Sequence, residues 1–140
     1  MIKKITNLNV KDDPIRPELE FWWRLLNGRE VYGSFEDDPV RPELKSVVCV
    51  AKMNFVPKTT HDLRQSKISG DIMVAYTLWS YEKGWGSKLI DGLKQTAQNQ
   101  YMKRLVTLSP LTEMARSFHL KNGAKELQTN HSTRNFEYEL

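Results

Sequence analysis

Cysteine is all but missing from this chain. Cys49, inside "VVCVA", has no second thiol with which to close a disulfide. A disulfide-stapled scaffold is excluded, and a lone thiol among apolar residues reads as a buried structural group rather than a nucleophile. Long apolar runs are lacking as well, and none approaches the ~20 residues that cross a bilayer as a helix. The opening "MIKKITNLNVKDD" has two lysines but no apolar stretch behind them, so it does not read as a secretory signal. A cytoplasmic protein with no membrane partner is the expectation. Histidine is scarce: His61, His119 and His131, taken with Cys49, fall at no metal-ligand spacing, and no metal is expected. Neither end carries a run of one charge.

What is present suits one ordinary folded domain, residues 1–140. The chain is 39% hydrophobic and 27% charged, which is long and apolar enough for a proper core. Its net charge of +4 is unevenly spread. Between Lys83 and Lys125, eight basic residues stand against only Asp91 and Glu113. Taken singly these lysines and arginines read as solvated helix faces. A nucleic-acid partner is not expected, because no aromatic–basic signature or known motif accompanies the charge.

The N-terminal part holds a near-duplication, "DDPIRPEL" at 12–19 and "DDPVRPEL" at 37–44. Two copies are too few for a solenoid. Aspartate can cap a turn and proline fixes its own φ, so both copies read as stiff turns leading into apolar runs, with no chemistry attached. Strand signals follow in "ITNLNV", "REVYGSFE", "SVVCVAKMNFV" and "DIMVAYTLWS", rich in β-branched and aromatic residues. "PELEFWWRLLNG" predicts a short helix closed by Gly28, and Pro57 to Gly70 a loop with one helical turn at "HDLRQSK".

The C-terminal half is more regular. Leu89, Ile90, Leu93, Ala97 and Tyr101 recur at helical spacing, and "KRLVTLS" reads as a strand. "SPLTEMARSFHLKNG" predicts a helix capped by Ser109, begun by Pro110 and closed by Gly123, with Leu111, Met114, Ala115 and Phe118 facing inward. Two strands around "NHSTRN" complete a mixed α/β domain with one sheet.

Between strand and helix lies "WSYEKGWGSKLI", Trp79 to Ile90. A helix N-terminus exposes unpaired amides and a partial positive charge, which together bind phosphate. Gly84 and Gly86 allow close backbone approach, and Lys83 and Lys88 add charge. A Walker loop does not fit, since the order here is Gly86-Ser87-Lys88; the dinucleotide fingerprint fails because position 89 is Leu. On its own the stretch reads equally as an anion cradle and as a plain strand-to-helix turn.

Taken with its surroundings, "YEKGWGSKLI", then a helix, a strand and "EMARSFHLKNGA", it resembles the GNAT superfamily of acyl-CoA N-acyltransferases over Asp71 to Leu140. That family has a Gln/Arg-x-x-Gly-x-Gly/Ala turn for the coenzyme A pyrophosphate. Gly84 and Gly86 match it, with Tyr81 at the Gln/Arg position. Its later helix reads Ala-x-x-Phe-Tyr-x-x-x-Gly-Phe; Ala115, Phe118 and Gly123 match, while His119 replaces Tyr and Ala124 the final Phe. The resemblance implies a central, mixed, mostly antiparallel sheet flanked by helices. Residues 71–140 would form the coenzyme-binding part and residues 1–70 a shortened, divergent part.

It further implies acetyl-CoA or another acyl-CoA as co-substrate, an amine acceptor, and a homodimer as an open possibility. Contacts to the coenzyme would come from Leu78, Trp79 and Ser80 on the strand, from Lys83, Gly84, Trp85, Gly86, Ser87 and Lys88 in the turn, and from Phe118. His119 would be the acid and Asp71 the base, with His61 and Asp62 as alternatives flanking the same strand. The family's two helices between first and second strands have room here for one short helix at most, so the acceptor site must differ. The competing expectation is a non-catalytic binding or structural protein that keeps the fold.

Overall fold

The computed structural model describes residues 2–36, 40 and 42–140. Its strands are β1 (Ile2–Lys4), β2 (Arg29–Glu36), β3 (Glu43–Met53), β4 (Ile72–Ser80), β5 (Arg104–Thr107), β6 (Ser109–Pro110), β7 (Lys125–Thr129) and β8 (Thr133–Tyr138). The helices are α1 (Trp85–Asn99) and α2 (Glu113–Lys121). One sheet runs in the order β1-β2-β3-β4-β5-β8-β6, with β7 also paired to β8. Among the described residues only β4–β5 is parallel. A parallel pair needs a crossover, and α1 supplies it.

Two apolar clusters sandwich the sheet. Under the helices lie Met73 and Ala75 of β4, Leu89, Ile90 and Leu93 of α1, and Phe136 and Tyr138 of β8. On the opposite face Cys49, Val74, Tyr76 and Trp79 pack with Leu63, and with partly buried Leu19, Phe21 and Trp23. β4 changes parity between these faces. Opposite it, Cys49 pairs with Thr77 and Val50 with Ala75, so Tyr76 is an extra residue in the ladder. Upstream of this bulge odd-numbered side chains face the helices; downstream Leu78 does so and Trp79 faces away. An inserted residue reverses the two-residue alternation.

Where the chain departs from its sequence-level reading, specific hydrogen bonds are responsible. The strand expected at "ITNLNV" does not form: β1 is Ile2–Lys4, just before it, and Val10–Asp12 forms a 3-10 turn started by Asn9. Between Pro17 and Gly28 only one 3-10 turn, Trp23–Leu25, replaces the expected helix. Buried arginines take carbonyls that a helix would use: Arg24 donates to Leu19 O (2.9 Å) and Arg16 O (2.7 Å), and Arg29 to Trp23 O (2.7 Å). The turn expected near "HDLRQSK" forms as His61–Gln65. Of the duplication, residues 37–39 and 41 in the second copy lie outside the described residues.

α2 starts at Glu113 with Thr112 as its cap, accepting from the Ala115 amide at 3.2 Å. Ser109 and Pro110 instead pair with Arg134 and Thr133 on β8. Met114 is 84% exposed and Leu111 precedes the helix, so the inner stripe is Ala115, Phe118 and His119. Tyr101, beyond the end of α1, is exposed in a left-handed conformation. Gly123, at φ +96°, closes α2 as its sequence position predicts.

Candidate functional site

β4 and β5 begin as a parallel ladder and then separate. They pair from Ile72↔Arg104 to Ala75↔Thr107, and the Leu108 amide adds a last bond to the Ala75 carbonyl at 2.9 Å. Beyond it β4 continues to Ser80 while the other chain turns onto β8. The bulge at Tyr76 lies where they part, so the strand twists away at that point. The result is a fork whose outer limb is Thr77–Ser80.

At the end of that limb the turn Tyr81–Gly84 delivers the chain into α1. Gly84 has φ +89°, a left-handed conformation that disfavours any side chain, and a Cβ there would meet no atom within 4 Å. Among the described residues no side chain caps α1, and its first turn has no acidic residue. Helix geometry leaves the amides of Gly86 and Ser87 without intrahelical partners, beside the positive pole of the helix dipole. Lys83, Ser87 and Lys88 are exposed around this end, and the Lys88 ammonium lies 4.1 Å from the Trp85 ring centroid. The turn is pinned from behind: Glu82 pairs with Lys45 at 2.8 Å, and the Tyr81 hydroxyl donates to Asp12 at 2.8 Å.

Packing also requires glycine at 86. A Cβ on it would lie 2.8 Å from Phe118 Cε1, so glycine is needed for α1 to pack on α2. Phe118 therefore touches the base of the turn, and Leu78, half-buried, packs on the same apolar cluster. Trp79 points to the other face of the sheet, and Ser80 is exposed at the strand end.

The expected acid and base are not gathered here. His119 is 4% exposed, wedged among Phe118, Phe136 and Tyr138, and its Nδ1 shares a 2.7 Å hydrogen bond with the Tyr138 hydroxyl. Burial pushes its pKa down to about 4 and keeps the imidazole neutral. Asp71 precedes β4, at the end of the strand opposite the turn, and pairs with Lys103 at 3.2 Å. Nine strand residues at ~3.3 Å each put it about 30 Å from Gly84. Asp62 holds its own loop by accepting the Lys58 and Thr59 amides. His61 is exposed, beside a groove on the far face of the sheet.

The polar centre that does sit at the fork comes from the first "DDPIRPEL", a segment read only as a stiff turn. Arg16 is 4% exposed. Its guanidinium donates to the Tyr76 carbonyl on one limb and to the Leu108 carbonyl (3.2 Å) on the other, and its Nε to Thr60 Oγ1 (3.2 Å). It thus fills the hydrogen bonds that the parting strands lose. Asp13, 2% exposed, accepts from the Ile15 and Arg16 amides, from Thr77 Oγ1 (2.9 Å) and from Arg24 Nη1 (2.8 Å). Thr77 reaches it because the bulge turns that residue to this face. Asp13 pairs with Arg24, while the Arg16 guanidinium donates to neutral oxygens and so brings a positive charge to the fork. The one signal in the sequence was the pairing of Asp13 with Arg16 three residues on, which carries no motif.

Strand order, bulge, fork and glycine turn define the fold of the GNAT acyl-CoA N-acyltransferases. Among solved structures, an acetyltransferase from Bacillus subtilis in complex with CoA is similar over 99% of this chain and 97% of its own, with a TM-score of 0.67 and 14% identity. The GNAT domain of S. lividans PAT gives 0.60 at 12% identity, covering 81% of this chain and 61% of its own. The PaiA N-acetyltransferase from Thermoplasma acidophilum, in complex with coenzyme A, gives 0.57 at 16%, covering 81% and 62%. This chain therefore spans about three fifths of the length of the latter two. Neither protein-family models nor curated proteins give a match. Among the described residues no helix is long and apolar enough to cross a membrane, and no group of three or more His, Cys, Asp or Glu is placed to hold a metal.

Proposed function

We propose that the protein transfers an acetyl or other short acyl group from acyl-CoA to an amine. The observation that carries this reading is the fork opening at the Tyr76 bulge, with an uncapped helix N-terminus at its outer end. Gly84 and the amides of Gly86 and Ser87 hold the pyrophosphate, with the side chains of Lys83 and Lys88 adding charge and Trp85 at the rim. Leu78, Trp79 and Ser80 supply the strand against which the pantetheine arm lies, and Phe118 supports the turn from below. The amine nitrogen forms a bond to the thioester carbonyl carbon, the carbon–sulfur bond breaks, and sulfur leaves with the electron pair. The proton lost by the amine ends on that sulfur, giving amide and free thiol.

In this reading Arg16, rather than buried His119, offers positive charge to the oxyanion and departing thiolate. Asp71, paired with Lys103 at the end of β4 opposite the turn, is not used as base in this reading. A binding protein without turnover is the second reading, supported by the burial of His119 at the position where the family has its tyrosine.

Thermal shift with acetyl-CoA, CoA and longer acyl-CoAs tests coenzyme binding. A hundredfold excess over Kd stabilises by about 2.7 kcal/mol, or about 8 °C for a domain of this size. No shift with any of them would refute the cradle. Thiol release in the presence of amines then separates enzyme from binding protein. Arg16→Lys is expected to lower kcat by about 10²-fold with coenzyme affinity held within threefold; an unchanged kcat would remove Arg16 from the chemistry.

A further inference from the structure

Around the Tyr76 bulge three guanidiniums, Arg16, Arg24 and Arg29, are buried with one buried carboxylate, Asp13, and they are not compensated alike. Arg24 pairs with Asp13 at 2.8 Å. Arg29 lies over the Trp23 ring, 3.9 Å from its centroid, and Trp23 in turn meets Tyr76 edge-on at 6.2 Å. Arg16 has neither kind of partner. Its bonds go to the neutral oxygens of Thr60, Tyr76 and Leu108, and among the described residues it forms no ion pair. Burial holds its pKa below the ordinary guanidinium value even though Asp13 and the exposed Glu18 act on it in the other direction.

A buried charge is ordinarily paired, because desolvation is costly and neutral oxygens repay only part of it. Arg16 also has donors to spare. A guanidinium carries five N–H groups. Nε, Nη1 and Nη2 each make one bond here, which leaves one N–H on each terminal nitrogen. Those two suit the paired oxygens of a carboxylate. The coenzyme pyrophosphate does not supply this anion. Four strand residues at ~3.3 Å each set Ser80, where the turn begins, about 13 Å along the limb from Tyr76.

We propose that the acyl chain of the donor supplies it: the protein takes an acyl-CoA whose short acyl group ends in a carboxylate, and Arg16 selects that group. The assignment rests on the acyl-transfer reading, which puts the thioester carbonyl at the fork. In a four-carbon chain the terminal carboxylate is three bonds from the carbonyl carbon, at most about 4 Å away, so one guanidinium serves both ends. The carboxylate takes no part in the exchange of bonds. The amine nitrogen bonds the carbonyl carbon, sulfur leaves with the carbon–sulfur pair and gains the proton the amine loses, and the amide keeps its free carboxylate.

Succinyl-CoA and butyryl-CoA test the assignment, since their acyl chains have the same length and end in carboxylate and methyl. Both are titrated calorimetrically into the intact protein at about 0.5 M salt, where exposed lysines are screened. Succinyl-CoA is expected to bind tighter by about tenfold or more, as a charged hydrogen-bonded pair allows. Arg16→Lys keeps part of that preference and Arg16→Gln loses it, with butyryl-CoA affinity held within about threefold in both; circular dichroism checks that each variant folds. Lys83→Gln weakens both thioesters alike. Equal binding of the two thioesters by the parent, which needs no variant, would overturn the assignment, as would a preference unchanged in folded Arg16→Gln. Free succinate is the remaining arm: if it alone raises the melting temperature as far as succinyl-CoA does beyond butyryl-CoA, the anion is a free carboxylate and the donor assignment falls. Butyryl-CoA binding without any preference sinks the donor assignment only, whereas no binding of either thioester sinks the acyl-transfer reading with it.

Discussion

Asp13→Ala is the perturbation that most directly tests how the fork is held. The Asp13 and Arg24 side chains are both 0% exposed and pair at 2.8 Å. Asp13 also fixes the Ile15 and Arg16 amides and the Thr77 hydroxyl. Deleting the carboxylate leaves the Arg24 guanidinium buried without its counter-charge, a loss of about 3–5 kcal/mol. Native domains hold only about 5–15 kcal/mol in all. At about 3 °C per kcal/mol the melting temperature should fall by about 10–15 °C. Urea unfolding followed by both tryptophan fluorescence and circular dichroism gives the loss directly, provided the slope m is unchanged.

Asp13→Ala/Arg24→Met separates the pair from its surroundings. It removes both charges, and should recover half or more of the stability lost in the single variant. A single-variant loss below about 1 kcal/mol, or a double variant no more stable than the single one, would refute the view that a buried ion pair anchors the fork.

Two further outcomes follow from the packing. Gly86→Ala places a methyl 2.8 Å from Phe118 Cε1 and should cost about 1–3 kcal/mol, relieved by adding Phe118→Leu; no relief in the double variant, read by thermal unfolding, would mean the clash is not with Phe118. His119 gives a pH signature of fixed sign. Its folded pKa of about 4 lies below the reference value of 6.5, so the unfolded chain binds the extra proton between these pH values and stability falls as pH drops. At 1.36 kcal/mol per unit the loss by pH 4 is about 3 kcal/mol, and His119→Gln should flatten this part of the profile. An unaltered slope in that variant would show that His119 is not buried neutral.

Much of the C-terminal half was legible because its signals are local. The stripe Leu89, Ile90, Leu93 and Ala97 states a helix through 3.6-residue periodicity, and all four are buried in α1. Gly84 and Gly123 mark positions where φ must be positive, a requirement of the backbone itself. The start of α2 was misplaced because Ser109-Pro110 is a good local cap, yet pairing with β8 won. The packing requirement at Gly86 was not legible, since its neighbour Phe118 is remote in sequence.

The sequence alone therefore determined the strand–turn–helix unit and the bare helix end that make the candidate phosphate cradle. Tertiary structure decided the rest. It buried His119 against Tyr138, set Asp71 at the end of β4 opposite the turn, and brought Asp13, Arg16 and Arg24 under the Tyr76 bulge. Those outcomes depend on contacts 11 to 92 residues apart, from Asp13 with Arg24 to Arg16 with Leu108. Periodicity and turn chemistry report only on neighbours within a few positions, so a charge buried by distant chain leaves no mark in the local pattern.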